Sequence, residues 1–165
     1  MTGPGRLIVV SNREPYIHEK TKKGIRCKVP AGGLVTALDP IMQKTKGIWI
    51  AWGSGNADAE TADEHGRIMV PEQCPSYTLR RVWLNPKEIN EYYFGFANQV
   101  IWPVCHLFQE NAQFYRNYWE TFKKVNERFT QAVAEEARPD DNIWVQDVHF
   151  ALMPAALRKE LPENN

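Results

Sequence analysis

Short, unbroken apolar runs alternate along the chain with longer stretches in which apolar residues recur every three or four positions. The short runs are rich in β-branched residues and end in polar ones, which is typical of buried parallel strands. They predict strands at RLIVVSNR, GIWIAW and NIWVQD, with two further candidates at RIMV and YTLRRVWL. The first strand is expected to end at Ser11, Asn12 and Arg13.

The periodic stretches predict helices. One begins at Gly33, a second follows NPKE, a longer third precedes RPDD, and the last opens at Pro154. At NPKE, Asn85 can cap the helix and Glu88 can complete a capping box. The predicted apolar faces are Leu34, Leu38, Ile41 and Met42 in the first helix, and Phe114, Tyr118, Phe122, Val125, Phe129 and Val133 in the third.

The connecting segments are polar. Residues 14–29 predict a loop or a hairpin, and GSGNADAETADEHG predicts a solvated, acidic, flexible loop. The order of strands and helices favours an α/β fold with a mainly parallel sheet, in which ligands bind beyond the carboxyl ends of the strands. The chain stops after a helix, where another strand is expected, so the sequence predicts part of a domain.

Composition narrows the function classes. The 165 residues suit one domain, and their net charge of zero argues against a nucleic-acid groove or an anionic membrane as partner. No window approaches the roughly 20 apolar residues of a membrane span, and the first apolar run is too short for a signal peptide. The three cysteines are an odd number with no tight pair spacing, which argues against a disulfide framework and a zinc site. We therefore expect a cytoplasmic protein.

Candidate chemistry lies where strands end and helices begin. Gly32 and Gly33 precede a helix, where they either cradle a phosphate or form a tight turn. Arg13 follows the first strand and either binds a phosphate or is a surface charge. Asp147 follows NIWVQ and either contacts sugar hydroxyls or caps a helix. His149, judged alone, is more typical of a structural role.

The aromatic stretch EYYFGFANQVIWP also has two interpretations. At helical spacing such residues usually belong to the core. Tyr93 and Trp102, however, flank a helix end where a ring could pack on a sugar face. A P-loop, HExxH, G-x-S-x-G and a second spaced carboxylate are all missing from the sequence, which argues against those hydrolase and nucleotide-binding classes.

Five stretches occur in an order that resembles glycosyltransferase family 20, the trehalose-6-phosphate synthases: VVSNR, AGGL opening a helix, WIAWGSG, EYYFGFANQVIWP and IWVQDVH. The resemblance implies a GT-B fold, in which two Rossmann-like domains face each other across a cleft. Residues 1–165 would then be a partial N-terminal, acceptor-binding Rossmann-like domain. The C-terminal nucleotide-sugar domain and its basic donor clamp would lie beyond residue 165.

The same resemblance implies roles for individual residues. Arg13 would contact the phosphate of glucose 6-phosphate, and Asp147 would hydrogen-bond the acceptor sugar and serve catalysis. The acceptor pocket would be lined by Trp52, Tyr93 and Trp102, with Tyr93 also near the phosphate. Gly32 and Gly33 would admit the diphosphate of UDP-glucose. Transfer would proceed with retention and without a metal or cofactor.

Two departures leave alternatives open. The family usually has His-Asp-Tyr-His where this chain has QDVH, with Gln146 and Val148. NREPY is also similar to glucosylglycerol-phosphate synthase, so the acceptor could be glycerol 3-phosphate or another phosphorylated compound. A non-catalytic sugar-phosphate-binding chain is a third interpretation, and a homo-oligomer is left open.

Overall fold

Seven strands are present in the computed structural model, which describes residues 5–165. They are β1 (Leu7–Ser11), β2 (Ile17–Thr21), β3 (Gly24–Lys28), β4 (Ile48–Trp52), β5 (Arg67–Val70), β6 (Tyr77–Val82) and β7 (Asn142–Val145). Five form one sheet in the order β5-β6-β4-β1-β7, in which only β5 pairs antiparallel. The predicted α/β fold with a mainly parallel sheet is confirmed. Residues 14–29 contain a hairpin, because β2 and β3 pair antiparallel.

The helices cover the sheet and its connections. They are α1 (Gly33–Thr45), α2 (Asp58–Thr61), α3 (Pro86–Glu88), α4 (Trp102–Cys105), α5 (Arg116–Glu136) and α6 (Met153–Glu160). Between α3 and α4 the chain forms a π-helix, Ile89–Ile101, and short 3₁₀ turns occupy Gln109–Asn111 and Val148–Phe150. The capping box is confirmed. The Asn85 side chain accepts a hydrogen bond from the backbone N–H of Glu88, and the Glu88 carboxylate accepts one from the backbone N–H of Asn85. In the described part of the chain, every helix is too short or too polar to cross a bilayer.

Both faces of the sheet are buried, which explains the unbroken apolar runs. On one face Ile8 and Val10 of β1 pack into a core with α5, α6 and the π-helix. On the other face, Val9 packs with α1 in a smaller core. Trp49 of β4 and Leu79 of β6 also belong to this smaller core. The alternation of β1 side chains between the two cores fixes the register of the central strand.

The structure corrects three predictions about the apolar and polar segments. Ile41 is 44% exposed, because α1 turns Val35, Leu38 and Met42 toward the sheet instead. Phe114 precedes α5 and is 71% exposed, so the buried face of that helix begins further along the chain. The acidic segment predicted to be a solvated loop contains α2, and its Asp58 is fully buried.

Asp58 is buried because it belongs to a cluster of charged side chains beneath the carboxyl edge of the sheet. Arg81 Nε lies 2.8 Å from Glu14 Oε2, and Arg81 Nη2 lies 3.1 Å from Asp58 Oδ1. Glu14 also accepts hydrogen bonds from the Ser54 amide and hydroxyl, and Asp58 accepts one from the His18 amide. The cluster therefore joins the segments that follow β1 and β4 to strand β6 and to the hairpin.

One guanidinium faces two carboxylates in this cluster, so the charges balance when one carboxyl keeps its proton. Burial is the main cause that raises the pKa of Glu14 from an ordinary value of 4.5 to about 7, and the nearby Asp58 raises it further against the opposing effect of Arg81. The folded protein thus holds a proton near neutral pH that the unfolded chain releases.

We expect the contribution of Glu14 to the free energy of unfolding to fall as pH rises from about 4.5 to 7, because across this window its carboxyl is protonated in the folded chain and ionised in the unfolded one. The decrease in the free energy of unfolding that Glu14 causes is on the order of 3 kcal/mol at most. Urea unfolding of the wild type and Glu14→Gln between pH 5 and 8 measures it. The free energy of unfolding of the wild type should fall relative to that of the variant as pH rises; parallel curves would show that Glu14 does not carry the proton.

Candidate active site

The strand order reverses at β1, and this reversal positions a cavity. The chain passes from β1 to β4 and β6 on one side, then crosses back through α5 to β7 on the other. In open parallel sheets the crevice at such a reversal is the usual ligand site. A cavity of about 450 Å³ lies there, lined by Ser11, Asn12, Arg13, Leu34, Tyr93, Asn98, Trp102, Gln146, Asp147 and His149.

One end of the cavity presents hydrogen-bond donors. Arg13 and Tyr93 are 80 positions apart in sequence, yet Arg13 Nη2 donates to the Tyr93 hydroxyl across 3.4 Å. Within residues 5–165, Arg13 forms no ion pair with a carboxylate, so its guanidinium is available to an anion from outside the chain. A planar guanidinium beside a phenol hydroxyl suits the oxygens of a phosphate group.

The other end is built on Asp147, directly after β7. Its φ of 76° lies in the left-handed half of the backbone map, which residues with a side chain rarely occupy. The carboxylate Oδ1 accepts a hydrogen bond of 2.7 Å from the Val148 amide and so caps the following 3₁₀ turn. Such strained backbone collects at functional sites, where a side chain must be held in one place. The cap interpretation of Asp147 is confirmed, and the residue also lines the cavity; contact with sugar hydroxyls stays a prediction.

His149 links the two ends. Its ring stacks on Tyr93 with centroids 5.3 Å apart and planes 20° apart, and its Nδ1 lies 3.5 Å from Asp147 Oδ2. Burial is the main cause that lowers the pKa of His149 below its ordinary value of 6.5; the Asp147 carboxylate opposes this shift, and Arg13 adds to it. The imidazole is therefore neutral at pH 7.

The two tryptophans predicted for the pocket lie on different sides of Arg13 and Tyr93. Trp102, at the start of α4, lines the main cavity and is 53% exposed. Trp52, at the end of β4, lines a neighbouring cavity of about 240 Å³ that shares Arg13 and Tyr93 with the main one. The structure thus brings Arg13, Tyr93, Trp102 and Asp147 into one cavity and Trp52 into the adjoining one.

The glycine pair lies at the amino end of α1, next to the cavity residue Leu34. Gly32 has an extended backbone with φ 163°, a conformation open to any residue. A Cβ added at Gly32 or Gly33 would meet no atom within 4 Å. Neither backbone conformation nor packing within the chain therefore requires glycine at these two positions, which favours the phosphate-cradle interpretation over the tight turn.

Among the described residues, one group could hold a metal ion by distance alone: His18, Cys27 and Glu72. Arg81 Nη2 lies 2.7 Å from His18 Nδ1. Because a guanidinium only donates, Nδ1 accepts and Nε2 carries the proton, which it gives to Glu72 Oε1 at 3.1 Å. With its proton in place, Nε2 has no lone pair for a metal, so the group does not fit one.

The sequence did not single out Asn12 as a site residue. It is only 4% exposed, its Oδ1 finds no hydrogen-bond partner in the described structure, and it borders both cavities. Asn12 stood out only as the residue before Arg13 at a strand end, and that position does not distinguish a ligand contact from a turn.

Comparison with known proteins identifies the family to which the chain belongs. The model of glycosyltransferase family 20 matches residues 5–165, and the chain belongs to that family. The chain is 35% identical over 160 residues to the Dictyostelium discoideum UDP-forming α,α-trehalose-phosphate synthase A, an alignment that covers 96% of this chain and 21% of the relative.

Solved structures agree with this assignment. The UDP-forming α,α-trehalose-phosphate synthase of Burkholderia vietnamiensis superposes with a TM-score of 0.72 at 30% identity, covering 97% of this chain and 31% of that one. A Burkholderia xenovorans synthase in complex with glucose 6-phosphate gives a TM-score of 0.69 at 28% identity, covering 98% and 32%. The fold is thus that of part of a GT-B glycosyltransferase, and the chain spans no more than about a third of these proteins.

The packing around the glycine pair gives a stability prediction. Gly33→Ala should leave the free energy of unfolding unchanged or raise it by up to about 1 kcal/mol, because alanine restricts the unfolded chain and meets no obstacle in the folded one. Urea denaturation of the chain measures it.

Gly47→Ala is the matched control, because its Cβ would collide with the Leu7 carbonyl. It should destabilise the chain strongly. If Gly33→Ala destabilised the chain as much as Gly47→Ala, the glycine pair would be a structural turn.

Proposed function

We propose that this chain forms the acceptor-binding side of a retaining glucosyltransferase that joins glucose from UDP-glucose to glucose 6-phosphate, giving trehalose 6-phosphate. The observation that carries the proposal is the convergence of Arg13, Tyr93 and Asp147 in one cavity at the strand-order reversal. The family of the chain and the names of its relatives agree with that chemistry.

The proposed acceptor phosphate binds at Arg13 and Tyr93. A phosphate dianion accepts hydrogen bonds, and both side chains donate them. The guanidinium supplies charge as well, and its rigid fork can hold two phosphate oxygens at once. Tyr93 gives up only its long contact with Arg13 when it turns its hydroxyl to the ligand.

The proposed sugar ring lies between Asp147 and Trp102. A carboxylate accepts hydrogen bonds from sugar hydroxyls, and an aromatic ring packs against the apolar face of a sugar. Trp52 and Tyr93 complete the aromatic lining from the adjoining cavity. By holding the acceptor hydroxyl in one orientation, Asp147 would lower the entropic part of the barrier to transfer.

The proposed donor diphosphate lies against Gly32 and Gly33. The first amides of α1 have no partners within the helix, and the helix dipole favours negative charge at that end. In transfer with retention, the departing diphosphate carries the developing charge and helps to deprotonate the acceptor. Amides fixed near it would stabilise that charge in the transition state.

Arg13→Ala should weaken glucose 6-phosphate binding by about ten- to a hundredfold, because a charge-assisted hydrogen bond contributes about 1.5–3 kcal/mol. Isothermal titration of the chain with glucose 6-phosphate measures the effect. Arg26→Ala, an exposed arginine on β3 outside both cavities, is the matched control and should bind as the wild type does. If the wild type, Arg13→Ala and Arg26→Ala bound glucose 6-phosphate with equal affinity, Arg13 would not bind the phosphate.

The 165-residue chain should not by itself transfer glucose at the rate of a complete synthase. The chain spans about a third of the length of the Burkholderia vietnamiensis synthase. The glycine pair would form one edge of a diphosphate site, and with that edge alone the charge of the leaving group faces water, where it is poorly stabilised. Incubation with UDP-glucose and glucose 6-phosphate, followed by detection of trehalose 6-phosphate, tests this. Turnover near that of a complete enzyme would show that the chain assembles a donor site of its own.

Acceptor identity is tested by the same titration with glycerol 3-phosphate. Because the cavity offers Asp147 and Trp102 in addition to the phosphate donors, glucose 6-phosphate should bind more tightly. Tighter binding of glycerol 3-phosphate would instead favour a glucosylglycerol-phosphate synthase.

A further inference from the structure

One buried polar group in the cavity wall makes no hydrogen bond in the described part of the chain. His149 Nδ1 is buried and has no hydrogen-bond partner among residues 5–165. Native proteins pair nearly all buried polar atoms, and an exception points to strain, to an unseen ligand or to a functional role. Packing alone does not need the nitrogens, because a phenyl ring could stack on Tyr93 in the same way without the cost of desolvation.

The surroundings of the ring decide which nitrogen carries the proton. Nδ1 lies 3.5 Å from Asp147 Oδ2, and a carboxylate at that side favours a proton on Nδ1. Burial opposes a second proton on the ring, and so does Arg13, whereas the Asp147 carboxylate favours one; the net effect is a lowered pKa of His149. The imidazole is therefore neutral, with Nδ1–H toward Asp147 and a lone pair on Nε2. Since His149 lines the cavity and its Nδ1 is buried, Nε2 is the nitrogen left available to a ligand.

We propose that His149 contacts the substrate: its Nδ1–H faces the Asp147 carboxylate, and its Nε2 accepts a hydrogen bond from a hydroxyl of the bound sugar. The inference rests on the proposed function and adds a second hydroxyl-binding group to it. A lone pair at this place cannot bind an unprotonated phosphate oxygen, because both would be acceptors. His149 therefore selects for the sugar part of the acceptor and not for its phosphate.

Because His149 is proposed to contact the sugar and not the phosphate, the experiment compares the binding of glucose 6-phosphate with that of inorganic phosphate. Both ligands are titrated calorimetrically into the chain at pH 8, where the imidazole is neutral. In His149→Phe the ring that stacks on Tyr93 remains and both nitrogens are lost. We expect the affinity for glucose 6-phosphate to fall about three- to tenfold and the affinity for inorganic phosphate to stay within about twofold.

A matched pair of variants distinguishes loss of the hydroxyl contact from damage to the fold. In His149→Gln the side-chain amide can place an oxygen near the former Nε2 position, whereas the shorter amide of His149→Asn reaches only the Nδ1 position. Both lose the ring, so both lose the stacking on Tyr93. We expect the glutamine variant to bind glucose 6-phosphate more tightly than the asparagine variant.

The outcomes separate the inference from the function on which it rests. If His149→Phe weakens both ligands equally, or neither, and the glutamine and asparagine variants bind alike, the hydroxyl contact is overturned while the proposed function stands. If the wild-type chain binds glucose 6-phosphate no more tightly than inorganic phosphate, the cavity does not bind the sugar, and both are overturned.

Discussion

The parallel pairing of β1 with strands on both of its sides is the constraint on which the rest of this structure depends. A parallel strand must be reached by a crossover, and here the crossover from β1 leads to β4 on one side of it, whereas the crossover from β6 through α5 leads to β7 on the other. The segments after β1 and β7 therefore diverge from one edge of the sheet and leave a crevice between them. Arg13 and Asp147, at the ends of these two strands, face the same cavity for that reason.

Two arginines near this edge show how differently one side-chain type can be used. Arg81 is fully buried, and its charge is balanced by Glu14 and Asp58 within the chain. Arg13 directly precedes Glu14 but lines the cavity, and within residues 5–165 its side chain has the neutral hydroxyl of Tyr93 as its hydrogen-bond partner. Burying a paired arginine holds the strand-end segments together, whereas an arginine without a carboxylate retains its attraction for an anion.

Local patterns in the sequence predicted the sheet strands, the hairpin as one of two alternatives, and the capping box at Asn85. Those features depend on near neighbours in the chain. The burial of Asp58 could not be predicted in this way, because it depends on Arg81, which lies on another strand. Tyr93 was singled out as an aromatic residue at a helix end, and its position beside Arg13 came only from the family resemblance. The π-helix that carries it has no signature in residue type, and although aspartate is enriched at positive φ, most aspartates do not adopt it, so residue type alone did not predict the angle at Asp147.

That backbone angle at Asp147 places two demands on one position. Glycine adopts such a conformation without strain, so Asp147→Gly would relieve the backbone and yet remove the carboxylate from the cavity. Selection for a more heat-resistant chain and selection for ligand binding would thus favour different residues there, which is a trade-off between stability and activity. Thermal denaturation of the glycine variant, set beside its ligand affinity, would reveal how much stability the chain gives up to keep an aspartate at the end of β7.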